Sequence, residues 1–483
     1  MESQHISLDI RSYTPKTIPD EDNFAMAPVV RDWMGSNEPA VLRKDFFDRV
    51  ASHITRPTNY STGHRNLVDL AAWQQAAEAL GTNGLNTKRS HLRRGFMVME
   101  PEPIHFATDK SDAASRAGAA ARVLEEMKPD AVYFDALRAA SSRSGSRFPV
   151  QYDLDDPLLL MLPHLARVNE ACDRLQLMAI AELAAAQTDQ ALSDVKLLFY
   201  IGDSLRAEPS LNSFRCRLGI FQSAIQPIWE GLVENRWTES QLGELQAYFE
   251  RCDLLNDVAE KLKYERAFQA QVVEVVRKDG LGFVDDFGYN PDLTVRKALW
   301  NVFGYIMPRG WFDLEKLNCC ESFDQQVNGF LRLSERRIAP DPTWGEISIP
   351  MDYWPPGNLV MAVFRHKTFA TIFNEFEIVK LTASSVARAQ TTADEAAIAC
   401  ALERYRLANG EFPEKLTDLA PRFVWALPND LLSGQPYKYS RTGDGRFLLY
   451  SVGWNGKDDG GVSGDRLFDP KNGDWVWDCC ASQ

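Results

Sequence analysis

The sequence predicts a mainly α-helical protein: a multi-helical hairpin array ending in an α+β domain, a long helix on a small antiparallel sheet. Three observations carry that prediction. Between residues 157 and 280, apolar residues recur at steps of three and four in one segment after another. From about His366 to Ala408 the chain runs with few helix breakers. YKYSRTGDGRFLLYSVG then sets two aromatic-rich runs around Thr442-Gly443-Asp444-Gly445, the pattern of a hairpin.

Composition narrows the function classes. The chain has 483 residues, of which 45% are hydrophobic and 25% charged, so wholesale disorder is excluded. Its formal net charge of −14 argues against a nucleic-acid partner, because phosphate binding needs a basic surface. No apolar run reaches the ~20 residues that cross a bilayer as a helix.

Composition divides the chain into an extended arm at 1–35, a mixed, mostly helical region at 36–150, a helical array at 151–280, an irregular Trp- and Pro-rich region at 281–364 and the α+β domain at 365–483. Pro15 and Pro19 keep the arm extended, because each biases the residue before it away from helix. Such a segment suits a position just outside a membrane anchor lying upstream of Met1; a soluble chain with a loose arm is the alternative. Helical spacing follows at Ala40–Ile54, Asn66–Leu80, Ala113–Met127 and Asp130–Ala140. Asp153, Asp155 and Asp156 read as an acidic entry to a helix N-terminus, where carboxylates oppose the helix dipole.

The array begins with one long stripe over Leu158–Ala186, after which Thr188 caps the next helix. Glu208-Pro209 breaks the chain and Leu211–Val233 resumes it. Thr238 and Gln241 have the spacing of a capping box, in which each side chain satisfies a free backbone amide. Asn256–Lys278 is a further helix. Phe199, Tyr200, Phe214, Phe221, Trp229 and Tyr248 read as core, and so does His164 on its apolar face. The 281–364 region carries helices near Thr294–Phe303 and Phe323–Ile338. Its Trp311, Trp344, Tyr353 and Trp354 either pin loops to the core or form a groove.

Eight cysteines show no C-x-x-C spacing. Cys172, Cys216 and Cys400 read as buried inert thiols. The vicinal pairs Cys319–Cys320 and Cys479–Cys480 are the candidates for a disulfide in an oxidising compartment.

In the tail, Asn409-Gly410 ends the long helix, since glycine tolerates the left-handed closing residue. A short helix in EFPEKLTDLAP, the segment LPNDLLSGQPYKYS, the hairpin, a Gly/Asp-rich loop and a strand at Trp475–Trp477 follow. That order, from ALERYRLANGEFPEKLTDLAP to LLYSVGWNGKDDGG and a closing strand, resembles the C-terminal half of the major, G-type pseudopilin of type II secretion systems. The resemblance covers about the last 90 residues. It implies a pseudopilin-like domain with a calcium-binding loop. This chain departs from the family in carrying the module at its C-terminal end, without the family's own apolar N-terminal helix, so it is no ordinary fibre subunit. The whole chain is also similar to large proteins of Planctomycetes and Verrucomicrobia that usually carry an N-terminal anchor. That similarity brings no activity with it.

Calcium needs six or more oxygen ligands, and a flexible Asp/Asn loop supplies them. Asn455, Asp458, Asp459, Asp465, Asp469, Asn472 and Asp474 fall in one loop; the candidate metal ligands are Asp458, Asp459, Asp465, Asp469 and Asp474, and the resemblance points most to Asp465 and the later aspartates. A polar loop closed by Asx turns is the alternative. Signatures of catalysis are missing: there is no GxxxxGK, HExxH, GxSxG or GxGxxG, and the acidic pairs Glu125–Glu126 and Asp285–Asp286 are ordinary solvated faces. The resulting expectation is a non-catalytic scaffold or interaction protein with a protein partner. An anchored chain would sit on the periplasmic side of the cell envelope, an unanchored one in the cytoplasm. The alternatives are a hydrolase or glycan-binding site in the aromatic 281–364 region, or a true component of a secretion system.

Overall fold

The computed structural model describes residues 7–35, 64–75, 113–152, 154–155, 157–279, 307–340, 365–369, 378–443 and 445–477. The helices expected at Ala40–Ile54 and Thr294–Phe303, and Trp344, Tyr353, Trp354, Cys479 and Cys480, lie outside these.

Helices dominate. They are α1 (Ala113–Met127), α2 (Ala131–Ala140), α3 (His164–Ala184), α4 (Thr188–Ser204), α5 (Leu211–Val233), α6 (Glu239–Phe249), α7 (Leu254–Asp279), α8 (Arg309–Phe330) and α9 (Ile378–Asn409). Two small antiparallel sheets lie toward the C-terminus. Strands β1 (Leu331–Arg332) and β2 (Arg337–Ile338) form a short ribbon, and β3 (Lys438–Arg441), β4 (Phe447–Ser451) and β5 (Trp475–Trp477) form a sheet in that order. Lys438 pairs with Tyr450 and Leu449 with Trp477.

Several boundaries follow from local chemistry. Ser210 caps α5, its hydroxyl accepting from the Asn212 amide at 3.1 Å. The expected capping box opens α6: Gln241 N donates to Thr238 Oγ1 at 3.3 Å, and Thr238 N donates to Gln241 Oε1 at 3.0 Å. Gly410 follows α9 with φ of +85°.

Three expected boundaries are corrected. The stripe over Leu158–Ala186 is not one helix: α3 starts at His164, with only a single turn at Pro157–Leu159 before it. Pro163 holds the N-cap position and disfavours helical geometry at Leu162. Thr188 is the first residue of α4, not its cap; Gln187 precedes it without a capping bond. The helix expected near Phe323–Ile338 begins instead after Pro308 and stops at Phe330. The chain then turns through Arg336, at φ of +48°, into the β1–β2 ribbon.

Helices α3, α4 and α5 pack on one another, α1 lies on α3, and α7 pairs with α8. Helix α9 packs on α5, α6, α7 and α8, and it also meets β4 and β5. From Val379 to Glu403 only Leu381 and Arg388 are partly exposed. Alanine, serine and threonine fill this stretch, so neighbouring elements approach closely. Three of its hydroxyls bond back within the helix: Ser384 and Ser385 donate to the Leu381 carbonyl, and Thr392 to that of Arg388. The core runs without a break from Phe24 and Trp33 through the array to Leu449, Trp454, Trp475 and Trp477.

The arm is fixed to this core. Asn23 and Gly145 form a bridge, Asn23 Nδ2 donates to the Arg147 carbonyl at 2.9 Å, and the Arg147 amide returns a bond to Asn23 Oδ1 at 2.8 Å. Trp33 Nε1 donates to Tyr133 Oη at 3.0 Å.

Gly231 tests the packing. A Cβ added there would lie 2.1 Å from Nε1 of Trp237, which is held by a bond to the Ile228 carbonyl. Gly231→Ala is expected to destabilise the protein by about 1–3 kcal/mol, reversing the ~1 kcal/mol gain that alanine gives in an open helix. The urea midpoint measures it; a rise would refute the contact.

Candidate functional site

The Gly/Asp loop between β4 and β5 is the first candidate, because the sequence concentrates its carboxylates there. The loop closes on its own backbone. Asp474 is buried, and its oxygens accept from the amides of Asp459 at 3.2 Å and Gly461 at 2.6 Å. Asp469, also buried, accepts from the amides of Lys471 at 2.8 Å and Asn472 at 3.0 Å. Asp458 accepts from Tyr450 Oη and the Gly460 amide and pairs with Lys438 at 3.1 Å. The Lys438 bond comes first among the contacts that hold the Asp458 carboxyl below its ordinary range. Asp459 accepts from Asn455 Nδ2, and Asp465 is exposed. Gly473, at φ of +78°, lies so close to Gly464 that a Cβ would sit 2.2 Å from its amide nitrogen. Trp454, Phe468 and Trp475 pack beneath.

These contacts are Asx turns and backbone staples. Among the described residues no group of three or more His, Cys, Asp or Glu side chains converges as metal ligands would. Asp458, Asp469 and Asp474 thus spend carboxylate oxygens on the loop's own amides.

The second candidate is a set of enclosed polar clusters that hold the helices to one another. His164 on α3 is fully buried, with Nε2 2.8 Å from Glu208 and its ring stacked on Phe148. Ser213 on α5 donates to the same Glu208. Glutamate thus stands between serine and histidine. A nucleophilic triad needs the histidine in that middle place to take the serine proton. Arg116 on α1 pairs with the fully buried Glu230 of α5 at 2.5 Å and donates to the Val68 carbonyl. Burial lifts Glu230 to about 7 despite that arginine. On α3 and α4, Glu182 and Asp194 face each other beside Arg138 of α2. Burial raises both carboxyls, and their mutual repulsion raises Glu182 further. A cleft lined by Phe199, Asp203, Arg217 and Tyr248 has a volume of about 10 Å³, room for one water.

The three cysteines expected as buried inert thiols are so, and the disulfide considered for the Cys319–Cys320 pair is not formed. Cys172, Cys216 and Cys400 are buried, and so are Cys319 and Cys320, all as free thiols. The hydrolase or glycan site expected in 281–364 rests on residues mostly outside the described structure. Its Trp311 packs edge-on against His366 at 4.0 Å.

The third candidate was not singled out in the sequence. Trp425 is 88% exposed. The chain before it is clamped: the Phe423 carbonyl accepts from Gln246 of α6 at 2.6 Å, its amide bonds the Leu419 carbonyl, and Arg404 of α9 lies over its ring. Val424 is buried. The indole is thus held out on a fixed backbone. The sequence signal, FVWALP, sets Phe423, Val424 and Trp425 in a row and does not say which one is left outside.

Compared with protein-family models, with curated proteins and with solved structures, the chain matches none.

Two outcomes follow from this geometry. Asp474→Ala leaves two loop amides unpaired and is expected to cost about 1–3 kcal/mol, whereas the exposed Asp465→Ala stays within ~0.5 kcal/mol; denaturation midpoints, with and without calcium, separate these. For Glu182 and Asp194 the folded carboxyls sit above their unfolded range. Their contribution to stability is therefore full below about pH 4 and is lost as pH rises through the folded values. Glu182→Gln is expected to flatten that alkaline loss in midpoints read across pH.

Proposed function

We propose that this chain is a non-catalytic scaffold or interaction protein that engages a protein partner through the surface around Trp425. The single observation carrying this reading is an indole 88% exposed on a backbone fixed from both α6 and α9. Lone exposed leucines need no explanation, but a tryptophan hides an apolar area of ~200 Å². At ~25 cal/mol per Å², covering it is worth roughly 4 kcal/mol to a partner. A backbone already fixed has no freedom left to lose on binding, tryptophan has only two side-chain torsions to order, and it is enriched among interface hot spots.

The pseudopilin-like reading of the tail belongs to the same proposal. Its support is the succession of α9, a short helical turn, the β3–β4 hairpin, a Gly/Asp loop and the closing β5, with the helix and sheet sharing a core. Placement in the cell envelope rests on the resemblance alone, and the described residues contain no helix long and apolar enough to cross a membrane. The calcium of that family is left out of the proposal, because the loop carboxylates do not converge.

The test is site-specific photo-crosslinking from position 425 in the native cells, followed by reconstitution with the purified partner. Trp425→Ala is expected to weaken that binding by roughly 30-fold, the ~2 kcal/mol typical of a hot spot, while the denaturation midpoint stays put. Unchanged affinity would sink the reading.

A further inference from the structure

Helix α9 and the C-terminal sheet meet across a seam that encloses three carboxylates. Asp394 and Glu395 sit side by side on α9, and Asp430 comes from the segment leading to β3; all three are buried. Tyr437 Oη donates to Asp394 Oδ2 at 3.1 Å, and Gln390 Nε2 donates to Asp394 Oδ1 at 2.9 Å. Glu395 accepts from the backbone of Ser451, the last residue of β4. Asp430 accepts from the Leu432 amide at 3.0 Å and from Ser433 Oγ at 2.8 Å.

The groups facing this trio come from every side of the seam. Arg336, from the turn between β1 and β2, faces Asp394. Arg65 faces Glu395 and lies over the Trp477 ring at 5.6 Å. The Cys252 thiol faces Asp394 from the linker between α6 and α7. The three buried carboxylates thus meet one buried guanidinium, Arg65, and one at the exposed edge of the seam, Arg336. Like charges enclosed together do not all ionise, and a buried charge without a partner is costly.

We propose that this seam is a proton-gated joint: a proton retained on the Asp394–Glu395 pair beside Asp430 clamps the C-terminal sheet to α9, and its loss releases the sheet while the helical array stays folded. The physical cause is desolvation. Burial lifts Asp394 to about 7, and burial likewise lifts Glu395 above its ordinary range. The seam is closed while the proton stays on, and it weakens as pH rises through the folded values. Tyr437 stabilises the ionised form of Asp394, so its hydroxyl sets where on the pH axis the joint opens.

Hydrogen exchange on the full chain tests this, corrected for the intrinsic dependence of exchange on pH. Between about pH 6 and about pH 8.5, protection of the β3, β4 and β5 amides is expected to fall at least ~10-fold relative to α3–α5, that comparison being made with Glu182→Gln in place so that the array's own alkaline loss does not enter. Asp394→Asn with Glu395→Gln removes the titrating pair and is expected to abolish that fall. Tyr437→Phe is expected to move the opening to higher pH. The measurement with Asp394 and Glu395 intact is decisive even if the amide variant does not fold: equal protection at both pH values overturns the proposal. A fall of the same size in the folded amide variant, or in α3–α5 as much as in the sheet, overturns it too.

Discussion

Helix α9 is enclosed from Val379 to Glu403, and the other parts of the molecule are arranged by that enclosure. On one side α5, α6, α7 and α8 lie against it; on another it meets β4 and β5. A helix that touches neighbours all round cannot carry bulky side chains everywhere. The Ala, Ser and Thr content of α9 is the answer to that constraint. Part of the polar cost is offset, since Ser384, Ser385 and Thr392 bond back to their own helix. Gln390 bonds outward, taking the Leu254 amide and giving a proton to the Cys252 carbonyl. One side chain thereby fixes the turn between α6 and α7 to the central helix.

The ionic clusters serve the same purpose farther out. Arg217 of α5 pairs with Asp203 of α4 and Asp257 of α7, each at 2.8 Å. Arg404 of α9 pairs with Glu239 of α6 at 2.8 Å. Such pairs are weak evidence of net stability: desolvation opposes the attraction at the buried Arg217, and solvent screens it at the half-exposed Glu239. They do restrict which helix faces meet, since shifting one helix would strand a charge. The chemistry of His164, Glu208 and Ser213 belongs with them: it ties α3 to α5 and to the chain between α4 and α5.

Local chemistry was legible in the sequence. The capping box at Thr238, the breaker at Pro209, the glycine after Asn409 and the hairpin around Thr442 act over a few residues, so the letters nearly suffice. Pro163 shows a limit: the apolar stripe crosses it without interruption, yet the proline ring decides where α3 starts. Long-range burial was not legible. Asp394 and Glu395 carry no local signal that a sheet will cover them. Trp425 shows the converse, an apolar residue left outside by tertiary packing. For the tail aspartates the composition was informative and the geometry was not, since carboxylates suit a metal or a backbone amide equally well until their directions are fixed.

The central position of α9 also bears on the order of synthesis. The array from α3 to α7 leaves the ribosome before the element that fills its middle. Until residue 409 has been made, the faces of α5 and α6 that receive α9 have no native cover. The nascent chain therefore presents an apolar slot for the time needed to translate well over a hundred residues, about ten seconds or more at ~5–20 residues per second. A chaperone that occupies the slot and yields it to α9 would suit that interval, and a neighbouring nascent chain offering its own α9 would lead to a swapped pair.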